Sequence, residues 1–215
     1  MVSANARGDA ARAALIANAE RLFAERGIEA VSLRDVSAAA GQKNHSAAQY
    51  HFGDRQGLVA AVYEARMRLV DERRHAFLTQ LADDGRSNDI EGLVAAIVVP
   101  LVEVVAETDG WYGRFLGRSR WEPSAWGVMV DLPTSTSFAQ AMRGLNRALT
   151  SVPRSVRRNR LDQLMTLVVG TIAGWEGAPA RGESRLSPAA LEAELITTGG
   201  AVLTAAASQL TGAAR

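Results

Sequence analysis

The stretch SLRDVSAAAGQKNHSAAQYHFGDRQGL, Ser32 to Leu58, reads as two short helices around a glycine turn. Ser32 with Asp35 three residues on has capping-box spacing, in which the two residues satisfy each other's orphan amides at a helix start. Leu33, Val36 and Ala40 then share one face, and Gly41 suits the left-handed conformation that ends many helices. A second helix is expected to start near Asn44 to Ser46 and to carry Ala47, Ala48, Gln49, Tyr50, His51 and Phe52. Its alanines are small enough to pack on the first helix. Lys43, Asn44, His45, Gln49, Tyr50 and His51 are left to face outward, with donors suited to phosphates and base edges. This is the layout of a helix-turn-helix, although an ordinary helical hairpin with a polar face has the same spacing.

The flanking residues narrow the choice. Upstream, about Ala10 to Arg26, the residues Leu15, Ile16, Ala19, Leu22 and Phe23 recur at helical spacing and stop at Gly27. Three helices therefore fit within residues 1–55, the size of a small helix-turn-helix domain. In order, AERLFAERG (Ala19–Gly27), VSLRDVSAAAG (Val31–Gly41) and YHFGDRQGLV (Tyr50–Val59) resemble the N-terminal domain of the TetR family of transcriptional regulators. The resemblance covers roughly the first quarter of the chain. It departs from the family pattern by one extra residue between Gly41 and Phe52, and Gln49 stands where the family often has a tyrosine against the DNA backbone. The basic residue of the next turn is Arg55.

The resemblance implies an all-α chain. A three-helix DNA-binding domain, residues 1–55, would precede a helical effector-binding and dimerisation domain, residues 56–215. Ser32, Arg34, Lys43, Asn44, His45, Ser46, Gln49, Tyr50, His51 and Arg55 are the expected DNA contacts. Tyr50 and Lys43 are assigned to phosphates, and Gln49 and His45 to bases. The implied partner is a double-stranded operator, bound by a homodimer that acts as a ligand-responsive repressor. A helical protein-interaction module and a constitutive DNA binder without effector are the competing readings.

Composition agrees within wide limits. The 215 residues are 47% hydrophobic and 22% charged, enough for a sizeable core. Cysteine is absent, which excludes disulfides, cysteine nucleophiles and thiolate metal sites. No apolar run reaches membrane-spanning length and the first 30 residues are not signal-like, so a cytoplasmic protein away from membranes is expected. The net charge is only +1, so DNA binding must rest on a local patch and on two copies per duplex.

Beyond Leu58 the chain reads as helices between turn signals. One runs from about Gln56 to Leu81, and the next ends near Glu107 and contains Pro100, which removes a backbone donor and is expected to kink it. A segment ending at Pro123, a helix from about Thr134 to Leu149, and two long helices, Pro153 to Gly177 and Pro188 to Leu210, follow. Trp111, Tyr112, Phe115, Trp121, Trp126, Met129, Phe138 and Met142 concentrate aromatic and methionine side chains, and are the expected lining for a small, mostly apolar effector, with ordinary core packing as the alternative. In the last two helices, Leu161, Leu164, Val168, Gly170, Thr171, Gly174, Trp175, Leu195 and Val202 form the expected dimer interface, which the resemblance favours over internal packing. Arg154, Arg157, Arg158 and Arg160 read as a solvated face.

No enzyme is expected. Ser119 in GRSRW lacks the second glycine of a nucleophile elbow, and no phosphate-binding GxxxxGK occurs. His45, His51 and His75 have no acid-rich neighbourhood, and the Asp83–Asp84 pair sits in a polar loop, so no metal or other cofactor is implied.

Overall fold

A computed structural model describes residues 4–108, 110–122, 125, 127, 128 and 136–206. Among them the chain is helical and contains no strand. The helices are α1 (Ala4–Arg26), α2 (Leu33–Ala39), α3 (Ala47–Phe52), α4 (Arg55–Asp83), α5 (Ile90–Ala106), α6 (Tyr112–Ser119), α7 (Thr136–Ala148), α8 (Arg154–Gly177) and α9 (Pro188–Thr204). Helix α1 begins earlier than its apolar spacing indicates. Pro123 and residues 207–215 lie outside the described residues.

Local signals account for most helix boundaries. Ser32 and Asp35 form the expected capping box, Asp54, Asp89 and Ser187 each accept an amide of the helix they precede, and Gly41 and Gly53 take φ of 66° and 76° after α2 and α3. A continuous apolar core then runs through the molecule. Leu15, Leu22 and Phe23 of α1 meet Val36 and Ala48 at one end, while α4 carries Leu58, Val62, Val70 and Leu78 from there to the far end. Helix α5, buried on almost every side, packs against α4, α7 and α9, and α6 lies between α1 and α8.

Pro100 has a specific consequence. Helix α5 runs through it, and the carbonyl of Ala96, four residues earlier, loses the amide donor that any other residue would supply. Arg74 of α4, only 2% exposed, fills that vacancy: its Nε donates to the Ala96 oxygen at 3.1 Å. Burial pulls the guanidinium down to about 10, which leaves it charged at neutral pH. The neighbouring Asp71 carboxylate is committed elsewhere, accepting from the amide (3.0 Å) and hydroxyl of Ser137 at the start of α7.

A second buried arginine closes α9. The guanidinium of Arg160, 7% exposed, donates to the carbonyls of Leu203 (2.8 Å) and Ala205 (2.5 Å), which lack acceptor duty at the helix end. Arg160 is therefore not part of the solvated face that its neighbours in sequence indicate. The three other arginines of that run behave differently: Arg154 and Arg158 are exposed and Arg157, half-buried, reaches the Leu149 carbonyl at 3.2 Å.

The Arg74–Pro100 pairing makes a double-mutant cycle informative. Arg74→Met should cost about 1–3 kcal/mol, the penalty of an orphaned buried carbonyl. In a Pro100→Ala background, where an amide can return to Ala96, urea unfolding should show a clearly smaller cost. Equal costs in the two backgrounds would show that Arg74 stabilises the fold by other means.

Candidate nucleic-acid interface

Helix α3 is short and its N-cap residue, Ser46, makes no side-chain capping bond. The missing cap comes from α2. Ser37, fully buried, donates from its hydroxyl to the Leu33 carbonyl (3.0 Å) and accepts the Ala48 amide (3.0 Å) on the same oxygen. This one hydroxyl fixes the angle between the two helices and satisfies an orphan amide of the second. Sequence reading passed over it because a serine in mid-helix looks like a surface residue; its place on the Leu33–Val36–Ala40 side was the available signal.

The bridge presents α3 with its polar face outward. Arg34, Lys43, Asn44, His45, Ser46, Gln49 and Tyr50 are exposed, Tyr50 at 85%, and the His51 ring is half-buried against Tyr50. Phe52 turns inward, beneath the Arg12 guanidinium of α1 at 5.3 Å. Two of the expected contacts have internal duties. The Asn44 side-chain oxygen accepts the Ser46 amide (2.9 Å), and Arg55 pairs with Glu29 (2.7 Å). Ser32 is likewise engaged in the capping box, which leaves Arg34, Lys43, His45, Ser46, Gln49 and Tyr50 as the exposed group without a side-chain hydrogen bond or ion pair among the described residues.

The expected effector residues separate into distinct environments. Tyr112 and Phe115 are fully buried and close-packed: Phe115 stands 4.9 Å from Tyr63, 6.1 Å from Tyr112 and 6.2 Å from Phe23, centroid to centroid. Trp111 lies under the Arg114 guanidinium at 3.6 Å, and Trp121 is 70% exposed. Phe138 and Met142 are different, for they line an open groove of about 730 Å³ between α7 and α8. Leu161 and Met165 complete its apolar wall, and Arg120, from the end of α6, reaches into it. Trp126 and Met129 lie outside the described residues.

The expected interface residues also divide. Leu164, Val168, Trp175 and Leu195 are buried within one copy of the chain, with the Trp175 indole donating to the Leu186 carbonyl (2.7 Å). Leu161, Thr171 and Val202 are half-buried, whereas Gly170 and Gly174 are exposed and a Cβ added to either meets nothing within 4 Å.

Helix α6 ties these regions together. Its N-terminal amides at Gly113 and Arg114 are accepted by Glu176 of α8 (3.1 and 2.8 Å), whose carboxyl is pushed up by burial. The Trp111 amide points to Glu20 of α1 (3.4 Å), a buried carboxylate paired with Arg66 (3.1 Å). Beyond its C-terminal end, Glu122 accepts the Ile28 amide (3.2 Å) just past α1.

A three-helix unit that holds a short polar helix outward has the layout of a DNA-binding helix-turn-helix. Residues 15–62 match the family model described as bacterial regulatory proteins, tetR family, so this N-terminal segment is similar to the DNA-binding domain of those regulators. Among solved structures it is similar to a Rhodococcus sp. protein described as a TetR-family transcriptional regulator, at 18% identity and a TM-score of 0.47 over 90% of this chain and 98% of that one. A TetR-family transcriptional regulator of Pectobacterium atrosepticum is 26% identical, with a TM-score of 0.43, over 91% and 93% of the two chains. No curated protein matches the chain significantly. No described helix is long and apolar enough to cross a membrane.

Removing the Ser37 hydroxyl tests how α3 is held. Ser37→Ala leaves the buried Ala48 amide without an acceptor and should cost roughly 1–3 kcal/mol in urea unfolding, with DNA affinity falling in parallel. Unchanged stability would mean that water or another group takes over the amide.

Proposed function

We propose that the protein is a homodimeric, ligand-responsive repressor that binds an inverted-repeat operator. Residues 1–55 serve as the DNA-binding unit, and residues 56–215 as the unit for effector binding and dimerisation. The effector is a small, mostly apolar molecule seated in the groove at Phe138 and Met142. The observation that carries ligand response is the continuity of residues 120–122. Arg120 lines the groove, and Glu122, two residues on, holds the amide of Ile28 at the end of α1. A molecule entering the groove competes for the space of Arg120, which is ion-paired with Asp162, and so loads the joint with the DNA-binding unit. Release then follows as a population shift, for which moving an equilibrium from 1:99 to 99:1 requires about 5.5 kcal/mol of preference for the released state.

On the DNA side, Tyr50 and Lys43 are assigned to phosphates, Gln49 and His45 to base edges. Arg34 and Ser32 lie on the flank, at the start of α2, and Asn44, Ser46, His51 and Arg55 support the docking. Tyr50→Phe and Lys43→Ala should weaken binding to all sequences alike, and loss of Lys43 should flatten the salt dependence by about one unit of log slope per half-site. Gln49→Ala or His45→Ala should instead change which bases are preferred. Gel shifts with genomic fragments in a salt series measure both. Full affinity for Tyr50→Phe and Lys43→Ala at moderate salt would remove this placement of the recognition helix.

For assembly, the exposed Gly170–Gly174 stripe of α8 allows close backbone approach, with Thr171 and Val202 at its margin. Open space around both glycines means that a side chain there leaves the single chain undisturbed. Gly174→Leu should therefore fold normally yet sediment as a monomer at micromolar concentration, with operator affinity sharply reduced. A dimer that persists in this variant, with full operator affinity, would place the interface elsewhere.

A further inference from the structure

The groove between α7 and α8 has a charge pattern that an apolar molecule alone does not use. Its wall combines Phe138, Met142, Leu161 and Met165 with four arginines, Arg120, Arg154, Arg157 and Arg158, against one carboxylate, Asp162. That is a local excess of three positive charges in a chain whose total is +1. Arg120 is already paired with Asp162, and Arg157 bonds the Leu149 carbonyl. Arg154 and Arg158 have no ion pair among the described residues.

Behind the apolar wall the charges balance. The Arg74 guanidinium sits 5.6 Å from the centre of the Phe138 ring, and the neighbouring Asp71 carboxylate, bonded to Ser137, offsets it. The positive excess therefore belongs to the rim, and the groove has an apolar lining and a cationic edge. Its volume also falls within the roughly 300–1,000 Å³ of small-molecule sites.

We infer that the groove takes an amphipathic organic anion, with its apolar body against Phe138, Met142, Leu161 and Met165 and its anionic head at Arg154 and Arg158. This rests on the reading of the groove as the effector site and adds the charge class of the effector. A carboxylate head suits the planar guanidinium fork, which can donate two parallel hydrogen bonds.

The test is direct binding to the full-length protein by calorimetry, with three probes of one chain length kept below their micelle concentrations. They are decanoate, decanol and decyltrimethylammonium. Decanoate should bind at least about tenfold tighter than decanol, the gain of one good charge-assisted contact, and the cationic probe should be weakest. The charge-reversed double variant Arg154→Glu, Arg158→Glu alters exposed side chains only, and should abolish or invert that order. A bulky Met142→Trp substitution should block all three probes. If decanol equals decanoate, or the preference survives charge reversal, the anion assignment falls while the groove stands as an effector site. If no probe binds, or binding ignores Met142→Trp, the anion assignment and the effector reading fall together.

Discussion

The arrangement of this molecule depends on how α6 is held. A helix start leaves amides without partners, and α6 is preceded by Trp111, which offers no side-chain cap. Its amides are met instead by carboxylates from two distant helices, Glu176 of α8 at Gly113 and Arg114, and Glu20 of α1 at Trp111. The helix dipole favours negative charge at that end, so geometry and electrostatics agree. Phe115 then packs the middle of α6 onto Phe23 and Tyr63, and Glu122 ties the segment after it to Ile28. A helix of eight residues is too short to be stable alone; these contacts make it a strut between the DNA-binding unit and the rest of the chain.

What was legible in the sequence follows the range of the interaction. Ser32 with Asp35, and Gly41, each act within a few residues of themselves, and the structure uses them as the spacing indicates. Pro100 was legible by half: the lost donor follows from its ring, but its compensation comes from Arg74, 22 residues away from the orphaned carbonyl. Glu176 and Glu20 act over 63 and 91 positions, and no local pattern separates them from surface glutamates. Aromatic content misled for a related reason. Tyr112 and Phe115 have the composition of a pocket, yet whether rings meet one another or an open space depends on helices brought in from elsewhere.

Charge shows the same dependence on place. The chain is close to neutral, and its arginines do different work according to burial. Arg74 and Arg160 complete helical carbonyls in the interior, where an unmet acceptor is costly. Arg55 is paired with Glu29 beside α3, and Arg34 and Lys43 are the exposed cations on α2 and the turn before α3. So small a patch gives one head a weak grip on phosphates, which is why the proposed function pairs two heads on one duplex.

Helix α8 divides one apolar stripe between two uses. Leu161, Leu164, Met165, Val168 and Ile172 follow the helical repeat along one face; Leu161 and Met165 reach the groove at its edge, while Leu164, Val168 and Ile172 are buried in the core. Gly170 and Gly174 lie on the opposite side, which stays open. The spacing identifies the stripe, but only the helices packed beside it decide which part of it meets the core and which part meets the groove. The helix also carries Glu176 near its end, the carboxylate that fixes α6. A rotation of α8 would therefore change the groove, the open glycine side and the seat of α6 together, since a packed helix moves as one body.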